Sequence, residues 1–498
     1  MRFALVLCLC SSLAFSQDLQ PDLLHQACQE LFADRYEQAA GLYRQVLAQA
    51  PSGEAYYGLT RALLSSHKAK DAYAVAEEAL ARAPQTPGAQ TAAGLAAFRR
   101  GELSHSEDFF HAALKLDPQY AGAFSGLATV NSAIAFDKTS RDYVEKGYKL
   151  APDDPELLTA HVNSLKGDEH IAALERALAS LDPQSDEARS LRAHIASDRA
   201  LRGRVVRRLA SPYAETKVAL TVIPRGLHDI RGFGLRVRFN QKYTATLLLD
   251  TGASGISVSP KLADKAGLEL LSGESVDSRG IGDKTADPSL TYLAPSVDIG
   301  KVSFADVPVH AFRSAKDTDI EGLIGTDVFR SFLVALDFRG REMVLYPYPS
   351  PFKPTDDELF DAHDTAQGFS RVLRLGTHLF IATSINAKAT RWFLIDSGSS
   401  SNLMDTEAAR EFTKVRGDSS LDVRGIQGKV DKVSRADYVS LTFGGFRQDN
   451  PDLISISLER ASDDFGFAIA GVIGMPILSQ LRVTLDYRGG AIKFERPH

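Results

Sequence analysis

The 498 residues, 44% apolar and 24% charged, suffice for several packed domains and do not have the composition of a disordered or fibrous chain. A formal net charge of -6 and a pI near 6.1 give no basis for nucleic acid or an anionic membrane as partner. The 12 His show no metal-ligand spacing and no phosphate-cradling glycine loop occurs, so neither a metal nor another cofactor is expected.

At the start of the chain, Arg2 precedes the apolar run Phe3 to Cys10. Ala14-Phe15-Ser16 follows, with small residues where a signal peptidase reads. Residues 1–16 are therefore expected to be a signal peptide cleaved before Gln17, and the protein to be exported, periplasmic or secreted. The run is too short to span a bilayer, so no stable membrane span is expected after its removal. Cleavage also leaves Cys28 as the one cysteine, which excludes an intramolecular disulfide and suits a small buried apolar side chain.

Residues 17–204 are rich in Ala and Leu at helical spacing. Pro51, Pro84, Pro118 and Pro152 recur at intervals of 33, 34 and 34, each behind an apolar stripe such as Tyr36-Ala39-Ala40-Tyr43-Leu47. After three of them comes a Gly-Leu pair: Gly58-Leu59, Gly94-Leu95 and Gly126-Leu127. This pattern resembles the tetratricopeptide repeat (TPR), in which two antiparallel helices form each unit and Pro ends the second. The resemblance implies a helical solenoid that holds a protein partner or an extended peptide in its concave face. A spacer or a dimerisation arm is the alternative. The basic cluster Arg204, Arg207 and Arg208 at the junction reads as a solvated helix end.

The remainder of the chain is a duplication. Leu247-Leu248-Leu249-Asp250-Thr251-Gly252 is echoed by Phe393-Leu394-Ile395-Asp396-Ser397-Gly398, each an apolar run that ends on a carboxylate, a hydroxyl and a glycine. Arg279-Gly280-Ile281-Gly282 is echoed by Arg424-Gly425-Ile426-Gln427-Gly428, Gly322-Leu323-Ile324-Gly325 by Gly471-Val472-Ile473-Gly474, and Val334 to Gly340 by Val483 to Gly489. The offsets are 146, 145, 149 and 149 residues, so two sister lobes are expected, 205–346 and 368–498, joined by a Pro-rich connector over 347–367. One Asp per lobe predicts a shared site on the axis between them. Two carboxyl groups placed together share one proton, and such a pair supplies a general base and a general acid at once.

These residues resemble the aspartic peptidases, in which Asp-Thr/Ser-Gly forms the active-site loop. The fold implied is an all-β bilobal acid-protease barrel domain behind the all-α TPR-like solenoid. The resemblance implies that Asp250 and Asp396 activate a water for attack on a peptide carbonyl, with no covalent intermediate. It places Thr251 and Ser397 as crossed hydroxyls beneath the carboxylates, Gly252 and Gly398 where the substrate backbone must approach, and Gly280, Ile281, Gly282, Gly425, Ile426 and Gly428 as two flap tips over an extended peptide. Neither flap region carries the Tyr of pepsin-like enzymes, and Thr326-Asp327 and Met475-Pro476 stand where retroviral-type enzymes usually carry Arg. The chain is thus similar to a tandem, bacterial-style retropepsin-like endopeptidase. A catalytically silent peptide-binding scaffold is the alternative.

Two further expectations are local. The hydroxyl of Ser399, where lobe 1 has Ala253, should donate to Asp396 and favour its charge, so that Ser399→Ala would raise the acidic limb of the pH-rate profile. Asp337 and Asp486, each ahead of Arg-Gly, should cap turns.

Overall fold

The computed structural model describes residues 19–179, 183–225, 229–273, 276–278, 287–312, 320–348, 368–418, 420 and 432–497. The expected signal peptide, both flap tips and all of the connector but Pro347 and Tyr348 lie outside these residues. By internal packing the chain divides into two units, Met1–Asn131 with Asp137–His161 and Ser132–Phe136 with Val162–His498.

The N-terminal part is a helical repeat region. Its helices are α1 (Leu19–Phe32), α2 (Tyr36–Gln49), α3 (Gly53–Ser65), α4 (Ala69–Arg82), α5 (Pro87–Arg100), α6 (Leu103–Leu116), α7 (Ala121–Ala133), α8 (Asp137–Leu150) and α9 (Pro155–Ser164). Two more, α10 (Gly167–Ala179) and α11 (Asp186–Ala200), fall within the second unit. Each of the four periodic prolines stands just beyond the end of an even-numbered helix, where its missing N–H breaks no helical bond. Ser52 and Thr86 open α3 and α5 by accepting from the amides of Ala55 and Ala89. The periodic glycines make room for an aromatic: a Cβ at Gly94 or Gly126 would lie 2.5 or 2.2 Å from the ring of Phe110, itself fully buried.

Side chains of well-separated repeats also meet. Arg61 of α3 is 6% exposed and donates to Asp154 at 2.6 Å and Glu156 at 3.1 Å, at the entry to α9. Its guanidinium lies 5.4 Å from the Tyr57 ring centre. Tyr57 is edge-on to Tyr120, whose hydroxyl donates to Glu54 at 3.0 Å. Arg61→Ala is expected to destabilise the helical unit by about 3–5 kcal/mol, because it strands the Asp154 carboxylate, whereas an apolar pair at both positions recovers most of the loss. Thermal melts followed by helical circular dichroism measure both.

The second part is all β around its core. In lobe 1 the strands Val302–Phe312, Ile256–Val258, Gly322–Gly325, Tyr243–Asp250, Asp229–Phe239 and Asp287–Ile299 pair in that order, and the last pairs with the first, closing a barrel. Leu247, Leu249, Phe239, Val309 and Ile324 fill it. In lobe 2, strands Ala389–Ile395, Gly471–Ile473 and Leu403–Asp405 repeat the central order. Under both lobes runs a shared sheet, Thr216–Ala219, Glu342–Pro347, Phe332–Asp337, Arg482–Asp486, Ala491–Glu495 and Phe369–Leu375. Its centre is the antiparallel pairing of the duplicated strands themselves, Val334 opposite Leu485 and Leu336 opposite Val483. Alternating Val and Leu on these strands bury one face against both lobes, which joins the two cores into one. Asp337 and Asp486 cap the turns that follow, accepting from the amides of Gly340 at 2.6 Å and Gly489 at 2.7 Å. Pro347 ends its strand, and the Tyr348 hydroxyl donates to Asp486 at 2.9 Å.

Candidate active site

Strand Tyr243–Asp250 runs parallel to Gly322–Gly325, with Asp250 opposite Gly325. Strand Ala389–Ile395 runs parallel to Gly471–Ile473, and the Asp396 amide donates to the Ile473 carbonyl at 3.0 Å. Each apolar run is continuous because its strand is covered on both faces, and it delivers its carboxylate where the covering ends.

The loops that follow lock into each other across the lobes. The Thr251 hydroxyl donates to the Ile395 carbonyl at 2.8 Å and accepts from the Ser397 amide at 2.9 Å. The Ser397 hydroxyl donates to the Leu249 carbonyl at 2.9 Å and accepts from the Thr251 amide at 3.0 Å. Both residues are 1% exposed, so all four bonds are shielded from water. Above them Asp250 and Asp396 lie close enough for each carboxyl group to shift the other's pKa. The glycines face the opposite carboxylate rather than open space. A Cβ at Gly252 would lie 2.8 Å from Asp396 Cγ, and one at Gly398 would lie 2.4 Å from Asp250 Oδ2. The structure thus brings Asp250, Thr251, Gly252, Asp396, Ser397, Gly398 and Ser399 into one cluster.

Burial raises the pKa of both carboxyl groups. Asp250 is raised further by the charge of Asp396, well above the ordinary carboxylate range. At Asp396 the amides of Gly398 at 2.8 Å and Ser399 at 3.0 Å act against the rise. The two carboxyl groups shift each other, so the pair titrates as a unit.

The expected role of the Ser399 hydroxyl is corrected by the geometry. The Ser399 hydroxyl donates to the Ser401 carbonyl at 2.8 Å; it is the Ser399 amide that bonds Asp396. A backbone amide survives any substitution but Pro. Ser399→Ala is therefore expected to leave the acidic limb of the pH-rate profile where it is, a comparison of kcat/KM against pH that a displaced limb would contradict.

Sequence reading missed residues that brace this loop from outside the duplicated motifs. His378 Nε2 lies 2.9 Å from the Gly252 carbonyl, and the Thr377 hydroxyl donates to Ser254 at 3.0 Å. Because a carbonyl only accepts, Nε2 carries the hydrogen. Burial lowers the His378 pKa, which favours the neutral ring. The two lobes share one strand register here, Gly234 opposite Leu248 and Phe380 opposite Leu394, and it makes Gly232 the counterpart of His378. That mismatch was the available signal.

A family model described as aspartyl protease matches residues 235–328 and 381–477. The match spans the closed barrel of lobe 1 and the core of lobe 2, and includes both Asp-Thr/Ser-Gly loops. Among solved structures, the chain is similar to an aspartic proteinase from Irpex lacteus, at 14% identity over 57% of this chain and 97% of that one, with a TM-score of 0.39. It is also similar to a thermophilic TPR protein from Thermus thermophilus, at 21% identity over 36% of this chain and 100% of that one, with a TM-score of 0.29. No curated protein matches the chain.

Proposed function

We propose that this protein is an exported aspartic endopeptidase of the tandem, retropepsin-like kind, whose water is activated between Asp250 and Asp396. The observation that carries the reading is the pair of crossed hydroxyls, Thr251 on the Ile395 carbonyl and Ser397 on the Leu249 carbonyl, which sets one carboxyl group from each duplicated lobe against the glycine of the other. In the proposed reaction the ionised carboxylate of the Asp250–Asp396 pair takes a proton from water as the water oxygen attacks the scissile carbonyl. The proton held by the other carboxyl passes to the carbonyl oxygen, giving a neutral tetrahedral diol. Collapse of that diol breaks the C–N bond, with a proton delivered to the leaving amine. No covalent enzyme intermediate forms. The flap residues Gly280–Gly282 and Gly425–Gly428 would cover an extended substrate, and the helical repeats would recruit the substrate or a protein partner.

A peptide-library digest run with the wild type and with Asp250→Asn tests this. Cleavage by the wild type and none by the variant is expected. Cleavage that persists in the variant defeats the reading, and its absence in a folded wild type leaves the peptide-binding scaffold instead. The export step is read from the N-terminus of the secreted protein, expected at Gln17.

A further inference from the structure

The arm between α11 and the first strand of the β part was expected to be a solvated helix end. It is an anchored segment. The helix stops at Ala200, and Arg208–Leu209 pairs antiparallel with Ala305 and Phe304 on the closed barrel. Arg204 ion-pairs with Asp306 at 2.7 Å, and the Arg207 amide donates to the Asp306 carbonyl at 3.0 Å.

Arg207 itself adopts φ +55°, the left-handed region that a residue with a Cβ enters only when its surroundings hold it there. In that conformation its Nη1 donates to Asp327 Oδ2 at 2.9 Å. Asp327 is 1% exposed, and its other oxygen accepts from the Gly255 amide at 2.8 Å. Gly255 ends the loop that begins at Asp250, and its carbonyl accepts from the Gly325 amide at 2.7 Å. A buried carboxylate thus bridges the arm to the loop of the lobe 1 carboxylate. It is neutralised by a cation from outside the lobe's motifs. Among the described residues lobe 2 has no such pair: Pro476 occupies the counterpart of Asp327, and the Gly474 amide is held within the lobe by Asn402 at 3.0 Å.

We propose that Arg207 is a positioning residue for the Asp250 loop, so that the active site of lobe 1 is completed by the arm rather than by the barrel alone. The proposal rests on the peptidase reading for its kinetic consequence. Its geometric part stands separately. Without the guanidinium, Asp327 is a buried charge with no counterion, and the Gly255 amide loses a fixed acceptor. A small shift of a loop that carries a reacting group costs rate more than binding.

The test uses the full chain with Arg207→Ala, Arg207→Lys and the pair Arg207→Ala/Asp327→Asn, with rates taken per folded molecule. Arg207→Ala is expected to lower kcat by about 10- to 100-fold while KM stays within about threefold. Arg207→Lys keeps the positive charge and the neutral pair keeps an acceptor for Gly255, so both are expected to recover most of the rate. Hydrogen exchange provides the second readout: amides from Asp250 to Val258 exchange faster in Arg207→Ala, while those from Ala389 to Ile395 do not change. An unchanged kcat, or unchanged protection of the Asp250–Val258 segment, overturns the proposal. A wild type that cleaves nothing defeats the peptidase reading alone, and the exchange comparison still decides whether the arm holds the loop.

Discussion

Asp396→Asn and Asp250→Asn are each expected to lower kcat by about 10²–10⁴-fold, the range a positioned acid or base contributes. Their stabilities are expected to move in the opposite sense to their activities. A carboxyl whose pKa is raised by folding holds a proton in the folded protein that the unfolded chain has already released. Stability therefore falls as pH rises from the ordinary carboxylate range through the raised value. Both are raised, Asp250 through burial first and the charge of Asp396 second. An amide at that position has no proton to lose. Asp250→Asn is thus expected to melt above the wild type at neutral pH, with the difference closing as the pH is lowered into the range where both carboxyls are protonated. Melting curves at several pH values, beside initial rates, test both halves. A variant that is inactive and also less stable at neutral pH would mean that the loss came from damaged packing rather than from missing chemistry.

Thr251→Val is expected to cost the β part about 2–5 kcal/mol, because it leaves the Ser397 amide and the Ile395 carbonyl buried without a partner. The shape of the side chain is preserved, so the loss belongs to the hydrogen bonds and not to a cavity. Ser397→Ala removes the mirror-image pair of bonds, to Leu249 and Thr251. Since all four bonds form one closed network across the lobes, the double variant is expected to lose less than the sum of the two single losses. Activity should fall with stability in both single variants, because the same bonds set the separation of the two carboxyl groups. Denaturant unfolding of the wild type, both single variants and the double variant gives the coupling. Strict additivity would show the two hydroxyls acting independently.

The parts of this fold that were legible in the sequence are those written as local patterns or as repeats. Proline spacing located the ends of the second helices, because proline cannot continue a helix whatever surrounds it. The duplication located the two carboxylates, because equal offsets place equivalent residues about a common axis. Ser399 shows the limit of residue type: its hydroxyl could reach either Asp396 or the Ser401 carbonyl, and only the rotamer decides. The pairs Arg207–Asp327, His378–Gly252 and Arg61–Asp154 join residues far apart in the chain, and none belongs to a periodic pattern. Their partners are chosen by the tertiary structure. The left-handed backbone at Arg207 is equally invisible, since nothing in an Arg-Val-Val-Arg-Arg run calls for it.

The central claim is that Asp250 and Asp396 act together on one peptide carbonyl. It is tested most directly by a crystal structure of the protein with a peptide that carries a hydroxyl-bearing carbon in place of that carbonyl. That hydroxyl is expected within hydrogen-bonding distance of both carboxyl groups, with the peptide extended across Gly252 and Gly398. A peptide bound elsewhere, or a hydroxyl that touches neither carboxyl group, would contradict it.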